Sequence, residues 1–261
     1  MTTVADIAKA MEIIAPLGTQ MDWDNSGLLI GDPGREVRRI LVALDATVEI
    51  IGEAEALGAE MIVTHHPIIF HPVKRLLAGT PPYEAAARGI AVYSAHTCYD
   101  MAEGGVNTAL ADALGLKERQ HLWEEKPGES GSRRLGLAGE LPCAMTREEL
   151  AAWVEEALGL PGNYVRWLAG AGPETIHRAA VCGGAGADFL GNAKALGCEA
   201  YITGDVRHHE YLEAAGMGLL LMDAGHFATE DIAMPGLRRQ LAALLPEVEI
   251  LADPTRRPDG R

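Results

Sequence analysis

Short apolar runs alternate with amphipathic segments along most of the chain. EMIVT (60–64) and IAVYSA (90–95) are continuous apolar runs of strand length, and segments of helical period lie around them. The alternation returns in the last third of the chain, where a helical segment separates EAYIT (199–203) from MGLLLMDAG (217–225). Strands that alternate with helices predict an α/β fold of two lobes, with mostly parallel sheets covered by helices.

Residues 117–175 have a different pattern. A polar loop containing glycine and proline (124–134) precedes a strand pattern, and TREELAAWVEEALG (146–159) has a threonine followed by glutamates, close to a capping box. The sequence therefore predicts three parts. These are a first α/β lobe (1–116), a small α+β connecting segment, and a second α/β part (176–261) that completes the site.

The amino-terminal segment MTTVADIAKAMEIIAPLG (1–18) is amphipathic, because Asp6, Lys9 and Glu12 interrupt its apolar residues. A secretory signal would instead have a basic start, an uninterrupted apolar stretch and a small-residue cleavage site. The sequence has no run of roughly 18 apolar residues, which a membrane helix requires. We therefore expect a cytoplasmic protein with no membrane contact, and a polar tail from Asp253 onward that frays.

Composition and charge narrow the class of partner. Apolar residues make up 48% of the 261 residues and charged residues 23%, as in soluble globular proteins. The 22 basic and 37 acidic residues give a net charge of −15, which repels polyanions. Nucleic acid is therefore a poor candidate, and only a basic lining of a ring's central opening would revive it. Four scattered cysteines without C-x-x-C spacing predict reduced thiols: Cys98, Cys143, Cys182 and Cys198.

Histidines and carboxylates follow three of the predicted strands. His65 and His66 come directly after EMIVT, Asp100 comes shortly after IAVYSA, and His226 and Glu230 come after MGLLLMDAG. The spacing of four between His226 and Glu230 places them on one helix face. Ligand sites of open α/β sheets form beyond the carboxyl ends of the strands, so we expect these three ends to converge on one cleft.

These side chains are suited to divalent metal ions. Imidazole suits Zn, Mn, Fe, Ni and Co, and carboxylates can bridge two ions. The adjacent His65 and His66 point apart, so each would serve a different ion of a close pair. Taken singly, an H-x-x-x-E or His-His pair is more commonly a surface or capping feature. With all three groups, the pattern supports metal binding and a structural role about equally.

The chain resembles the Nif-three-like dinuclear-metal family, whose members are often called GTP cyclohydrolase 1 type 2 homologues. The segments that carry the resemblance are WDNSGLLIG (23–31), IVTHHPIIF (62–70), SAHTCYDMAEGGVNTALADALGL (94–116), ITGDVRHHEYLEA (202–214) and DAGHFATE (223–230). The resemblance implies a two-lobed α/β fold in the short form, without the large inserted domain of some relatives. It also implies a toroidal homo-hexamer made as a trimer of dimers.

The resemblance further implies a two-metal site whose ligands are His65, His66, Asp100, His226 and Glu230, with Glu230 touching both ions. The identity of the ions (Zn, Fe, Mn, Ni or Co) stays open. This ligand set completes the site that the strand ends suggest.

Two further histidines are candidate catalytic residues. His96 lies four residues before Asp100 and would orient a ligand or contact substrate, while a capping or core role is equally supported. His209 matches a recurring family histidine in the TGD-x-x-x-H segment and would act as general acid/base or bind an anionic substrate. Its neighbour His208 is expected to face solvent.

Other residues near the predicted site have expected structural roles. Asp45 and Thr47 end an apolar strand pattern and are predicted to cap the following helix. Asp24 and Asn25 are expected to organise a loop at the rim of the site, and Asp205 to orient a histidine.

A glycine-rich segment, Gly183-Gly184-Ala185-Gly186, lies between a predicted strand and a predicted helix. It would either cradle a phosphate at a helix N-terminus or form a plain tight turn. The tight turn is the favoured alternative.

Two classes of function are compatible with these patterns. One is a metal-dependent hydrolase acting on a small molecule, and the family label suggests opening of a purine nucleotide ring, as in a GTP cyclohydrolase. The sequence lacks the P-loop pattern, so a nucleotide would be recognised by the cleft itself. The alternative is a hexameric metal-binding protein that acts in regulation or as a scaffold without turnover.

Overall fold

The computed structural model describes residues 1–125 and 133–254. Its strands are β1 (Gly27–Ile30), β2 (Arg39–Ala43), β3 (Met61–Thr64), β4 (Ala91–Ser94), β5 (Lys117–Glu124), β6 (Arg134–Thr146), β7 (Arg166–Trp167), β8 (Thr175–Val181), β9 (Ala200–Thr203), β10 (Leu220–Asp223) and β11 (Glu249–Ala252). Its helices are α1 (Val4–Ile14), α2 (Val48–Ala56), α3 (Pro81–Ala87), α4 (Thr97–Met101), α5 (Val106–Ala113), α6 (Arg147–Leu158), α7 (Leu190–Ala195), α8 (His208–Gly216), α9 (His226–Asp231) and α10 (Met234–Leu244). Short 3-10 helices lie at Leu17–Thr19 and Ala187–Phe189. Most of the predicted polar loop 124–134 and most of the predicted frayed tail lie outside the described residues.

The chain forms two compact units, each with its own sheet. Unit 1 comprises residues 1–105 together with the segment that begins at Met234, and unit 2 comprises Val106–Ala233. Two sheets covered by helices confirm the predicted α/β class. The bounds differ from the predicted segments for two reasons: β5, β6 and β7 share a sheet with the later strands, and β11 pairs with β2 in unit 1.

The sheet of unit 1 has the order β1-β4-β3-β2-β11. Its four strands β4, β3, β2 and β11 are parallel, and β1 is antiparallel to β4. The register aligns Ala43 with Thr64 and Thr64 with Ser94. The carboxyl ends of β2, β3 and β4 therefore lie side by side, so the residues that follow these strands are neighbours in space.

Two strands of unit 1 escape prediction from the sequence. β1 lies in a segment dense in aspartate, asparagine and glycine, which is typical of a loop, and it forms because an antiparallel partner lies alongside at β4. β11 has only four residues, and its first and last side chains are exposed. Tertiary pairing, rather than local propensity, decides both strands.

The sheet of unit 2 has the order β5-β6-β8-β9-β10-β7. Parallel pairing is limited to β8, β9 and β10, and the outer strands are antiparallel to their neighbours. Both faces are covered. In β9, Ala200 and Ile202 belong to one buried apolar cluster and Tyr201 to another. This matches the predicted arrangement, in which a strand that is buried on both sides is apolar throughout.

The helical pattern of HFATEDIAMPGLRRQLAALL (226–245) predicts a helix interrupted at Pro235, and the segment forms two helices, α9 and α10. The break lies slightly earlier, at residues 232–233, directly before α10. Pro235 sits in the first turn of α10, where a missing N–H costs no helical hydrogen bond. The same break coincides with the return of the chain from unit 2 to unit 1.

Two further features bear on the expected class of protein. No helix in the described residues has both the length and the apolar character needed to cross a bilayer. The four cysteines, all of which are described, form no disulfide, as their spacing predicts.

The N-terminus of α6 has the capping box that its sequence suggests. The Thr146 hydroxyl accepts from the Glu149 N–H at 3.2 Å, and the Glu149 carboxylate accepts from the Thr146 N–H at 2.8 Å. Hydrogen bonds from the backbone and the hydroxyl of Thr146 hold the pKa of Glu149 below its ordinary value. The ionised form of Glu149 therefore stabilises the folded chain.

We predict that Thr146→Ala lowers the free energy of unfolding by about 1 kcal/mol, because one N–H of the first turn loses its acceptor. Thr146→Ser keeps the oxygen and serves as the control. The stabilisation by Glu149 is present above its unfolded pKa of 4.5 and is lost as the pH falls through the lower folded pKa. Urea titrations should therefore show a difference in the free energy of unfolding between the wild type and Thr146→Ala that becomes smaller in acid. An equally large destabilisation by Thr146→Ser would contradict the capping role of the hydroxyl.

Candidate metal centre

Four predicted site residues of unit 1 follow β3 and β4. His65 and His66 come directly after β3, and their ring centroids lie 5.0 Å apart. One nitrogen from each of His65, His66 and His96 lies within 4.8 Å of the other two. Nε2 of the buried His65 is 3.6 Å from Oδ1 of Asp100. The parallel register thus brings together groups that are up to 35 residues apart in the sequence.

The Nδ1 atoms of His65 and His66 both face oxygen acceptors. Nδ1 of His65 is 2.9 Å from the carbonyl oxygen of Ala95, and Nδ1 of His66 is 2.8 Å from Oδ1 of Asp45. Carbonyl and carboxylate oxygens accept hydrogen bonds, so Nδ1 is assigned as the donor in both pairs. The lone pair of each imidazole is therefore on Nε2, which is the arrangement found in histidines that bind metals.

The contact between Asp45 and His66 corrects one prediction. Thr47 caps α2 as expected, with its hydroxyl accepting from the Ile50 N–H, but the capping role predicted for Asp45 is wrong. Its carboxylate binds the His66 ring instead. The cause is the sheet register: Ala43 pairs with Thr64, so the residues two positions further along the two strands also lie side by side.

His96 is bound to a buried carboxylate. Nδ1 of His96 lies 2.9 Å from Oδ1 of Asp24, whose side chain is fully buried. The hydroxyl and the N–H of Thr97 donate to the other oxygen of Asp24. Burial alone would raise the pKa of Asp24, but the hydrogen bonds from His96 and Thr97 outweigh it and hold the pKa well below its ordinary value.

The position of His96 favours one of its two alternative roles. It stands at the N-cap position of α4, yet its ring binds Asp24 rather than the first turn of the helix. The ring centroid lies 5.3 Å from that of His65 and 5.8 Å from that of His66. His96 therefore borders the other two imidazoles, as expected for a residue that orients a ligand or contacts substrate.

Asp24 and Asn25 organise a loop, as predicted. Besides binding His96 and Thr97, Asp24 accepts a hydrogen bond from the Ser26 hydroxyl at 3.0 Å. The side-chain amide of Asn25 donates to the carbonyl of Ile69 at 2.6 Å. The loop before β1 is thereby tied both to the start of α4 and to the segment that follows His66.

Unit 2 carries the other two predicted ligands at the start of α9. Nε2 of His226 lies 3.0 Å from Oε2 of Glu230, so the spacing of four does put both on one face. Nδ1 of His226 lies 2.7 Å from Oδ2 of Asp205, which confirms that Asp205 orients a histidine. As in unit 1, Nδ1–H donates to the carboxylate, which leaves the lone pair on Nε2.

The glycine-rich turn after β8 supports the Glu230 carboxylate. The N–H of Gly183 donates to Oδ1 of Asn107, that of Gly184 to the Thr229 hydroxyl, and that of Gly186 to the Thr203 hydroxyl. A phosphate would need these N–H groups as donors, so the turn, and not the phosphate cradle, is the better description. A Cβ at Gly184 would collide with Oε1 of Glu230 and approach Nε2 of His226 to 3.2 Å.

His208 and His209 are both exposed in the first turn of α8. The expectation that His208 faces solvent is met. The catalytic role of His209 stays a prediction, because its side chain also lies on the surface of unit 2.

The donor set of each unit fits a first-row divalent cation. Unit 1 offers three imidazoles and a carboxylate, and unit 2 offers an imidazole and a carboxylate. Two ligands about 2.0–2.2 Å from one ion are separated by roughly 3–3.5 Å, and the His65–Asp100 and His226–Glu230 distances are close to this range. Magnesium and calcium prefer oxygen ligands throughout, so this nitrogen-rich set does not favour them.

We predict that Gly184→Ala destabilises the folded chain by about 1–3 kcal/mol. Gly184 has a φ of 65°, which strains an alanine, and the added methyl displaces the Glu230 carboxylate. The matched control is Gly191→Ala in α7, where no described atom lies within 4 Å of the added methyl. Chemical denaturation should show a stability in Gly191→Ala that is unchanged or higher by about 0.5–1 kcal/mol. Equal stability in both variants would refute this role of Gly184.

Known proteins share the sequence pattern and the fold of this chain. The family model described as Duf34/NIF3 (NGG1p interacting factor 3) matches residues 2–258. A protein of Clostridium perfringens named "GTP cyclohydrolase 1 type 2 homolog" is 37% identical over 86% of this chain and 86% of its own length. A protein of the same name from Streptomyces coelicolor is 36% identical over 88% of this chain and 82% of its own. The crystal structure of a Bacillus cereus protein related to NIF3 has the same fold, with a TM-score of 0.91, 24% identity, and coverage of 100% of this chain and 99% of that one. The chain therefore belongs to the Duf34/NIF3 family.

Proposed function

We propose that the protein is a dinuclear metal-dependent hydrolase of a small molecule. The ligands proposed for its two ions are those that the family resemblance implies: His65, His66, Asp100, His226 and Glu230. The supporting observation is that three of these ligands, His65, His66 and His226, each donate Nδ1–H to an oxygen. This fixes the tautomer in which Nε2 can bind a metal.

When bound, the two ions would lower the pKa of a water molecule toward neutrality and would polarise the bond to be cleaved. The chain's own residues then have to bind the substrate and move protons. His96 borders His65 and His66 and donates Nδ1–H to the Asp24 carboxylate, so it is placed to orient substrate beside the ligands. His209 is the candidate for proton transfer with bulk solvent.

The relatives' name suggests the substrate class. Proteins named "GTP cyclohydrolase 1 type 2 homolog" are 33–37% identical to this chain in alignments that cover 86–95% of it. We therefore propose a purine nucleotide as the substrate to be tested before other amides and phosphoesters. A homo-hexamer, also proposed from the family resemblance, would be checked by the mass of the particle in solution.

We predict that His66→Ala and Glu230→Ala each abolish hydrolysis of GTP by the metal-reloaded protein. Each variant should also lower the bound metal measured by elemental analysis, while the mass of the particle stays that of the wild type. Product formation by the wild type that persists in both variants would exclude the proposed centre. Loss of metal without any wild-type turnover on purine nucleotides, amides or phosphoesters would instead favour the scaffold alternative.

We further predict that Asp45→Ala and Asp205→Ala each weaken metal binding about 10- to 100-fold, because His66 and His226 lose the acceptors that set their tautomers. Competition with a chelator of known affinity measures the effect. The Asp45 side chain is about half exposed and that of Asp205 is mostly exposed, so the fold should persist.

The matched controls for this experiment are Glu55→Ala and Asp112→Ala, which remove equally exposed carboxylates that pair with Arg88 and Arg119. They lower the net negative charge by the same amount. A similar loss of metal affinity in the controls would show that only overall charge matters and would refute the orienting role.

A further inference from the structure

Two large aromatic side chains of unit 1 are exposed beside the histidines. Trp23 is 60% exposed and Phe70 is 39% exposed. Their ring centroids lie 6.0 Å apart with an interplanar angle of 53°. Both rings also make edge-to-face contacts with the His96 imidazole, with centroid distances of 5.9 Å for Trp23 and 6.0 Å for Phe70. The three rings therefore form a continuous aromatic border to the imidazoles of His65 and His66.

The backbone on both sides of this border is fixed by polar contacts. Asp24, next to Trp23, is buried and binds His96, Thr97 and Ser26. Asn25 donates to the carbonyl of Ile69, the residue before Phe70. The loop that carries the indole and the loop that carries the phenyl ring are thus tied to each other and to the start of α4. The backbone that carries the two rings is therefore held in place by the fold itself.

The hydrophobic effect does not explain why the Trp23 and Phe70 rings lie beside His96. An exposed tryptophan gains little from the hydrophobic effect, yet a buried ionised carboxylate and a side-chain amide hold its loop in place. Exposed aromatic faces next to polar, directional groups are the usual lining of small-molecule sites. A single-stranded nucleic acid also stacks on aromatic rings, but it needs a basic groove, and this chain has a net charge of −15.

We propose that Trp23 and Phe70 form a stacking subsite for a planar heteroaromatic ring, and that a ring bound there presents its polar edge to His96 and its neighbours. The inference rests on the proposed function, since it places the ring of the substrate beside the proposed metal ligands. In this proposal Trp23 and Phe70 recognise the ring of the substrate, and the metal ligands act on the part of the substrate that reacts.

The test measures binding of three probes by titration calorimetry: guanosine triphosphate, adenosine triphosphate and nicotinamide mononucleotide. Inorganic triphosphate is the probe without a ring. Trp23→Ala should weaken binding of the ring-containing probe that the wild type binds best by about 5- to 150-fold, the usual range for losing one stacked base. Binding of inorganic triphosphate and the metal content should stay at the wild-type level.

Two variants make the result specific. Trp23→Phe keeps an aromatic face and should retain binding within a few-fold of the wild type. Ile13→Ala removes a side chain that is even more exposed, on α1, and should change nothing. Equal weakening of ring binding by Trp23→Phe and Trp23→Ala would exclude stacking. Stacking would also be excluded if the wild type bound all three ring-containing probes with dissociation constants above about 1 mM.

Three other results separate this inference from rival explanations. A lower particle mass of Trp23→Ala would make the rings a contact with a second copy of the chain and would overturn the proposal. A fall in metal content would make Trp23 a support of the ligands, which also overturns it. If Trp23→Ala loses ring binding while the wild type holds no metal, the stacking subsite stands and the proposed hydrolase fails.

Discussion

The chemistry of the candidate centre depends on one repeated hydrogen bond, from Nδ1 of a histidine to an oxygen that can only accept. A neutral imidazole has one proton and one lone pair, and it exchanges them between its nitrogens unless a neighbour fixes them. Ala95, Asp45, Asp24 and Asp205 supply such neighbours for His65, His66, His96 and His226. All four histidines direct Nδ1 at an acceptor and thus keep the lone pair on Nε2. One shared role explains this repetition more simply than four separate structural roles.

In unit 1 this repeated contact follows from the backbone ladder. Parallel strands β2, β3 and β4 pair so that each delivers the residue after its end to the same edge. The carbonyl of Ala95 is therefore beside His65, and the carboxylate of Asp45 is beside His66, without any long connecting loop. The strands themselves are buried and apolar, and the polar residues begin where the pairing stops. A change of register by one residue would separate every one of these pairs at once.

The sequence predicts some parts of this arrangement and not others, for physical reasons. His65, His66 and Asp100 could be expected to approach each other because apolar runs mark the strands and because carboxyl ends of parallel strands share an edge. The His226–Glu230 pair follows from the period of the helix alone. Asp45 could not be assigned to His66, since register is a property of the pairing and not of either strand. β1 and β11 were missed for the same reason: their partners, β4 and β2, are distant in sequence.

The buried carboxylate of Asp24 connects the histidines of unit 1 with the exposed aromatic ring beside them. Asp24 holds His96 by one oxygen and Thr97 by the other, and its neighbour in the chain is the exposed Trp23. Burying an ionised carboxylate is costly unless several donors surround it, and here His96, Thr97 and Ser26 do so. His96 and Thr97 follow β4, whereas the carboxylate belongs to the loop before β1, so satisfying the charge of Asp24 holds this loop beside His96. Closing the edge of the sheet would not require this charge; its structural effect is to hold the loop that carries Trp23 next to His96.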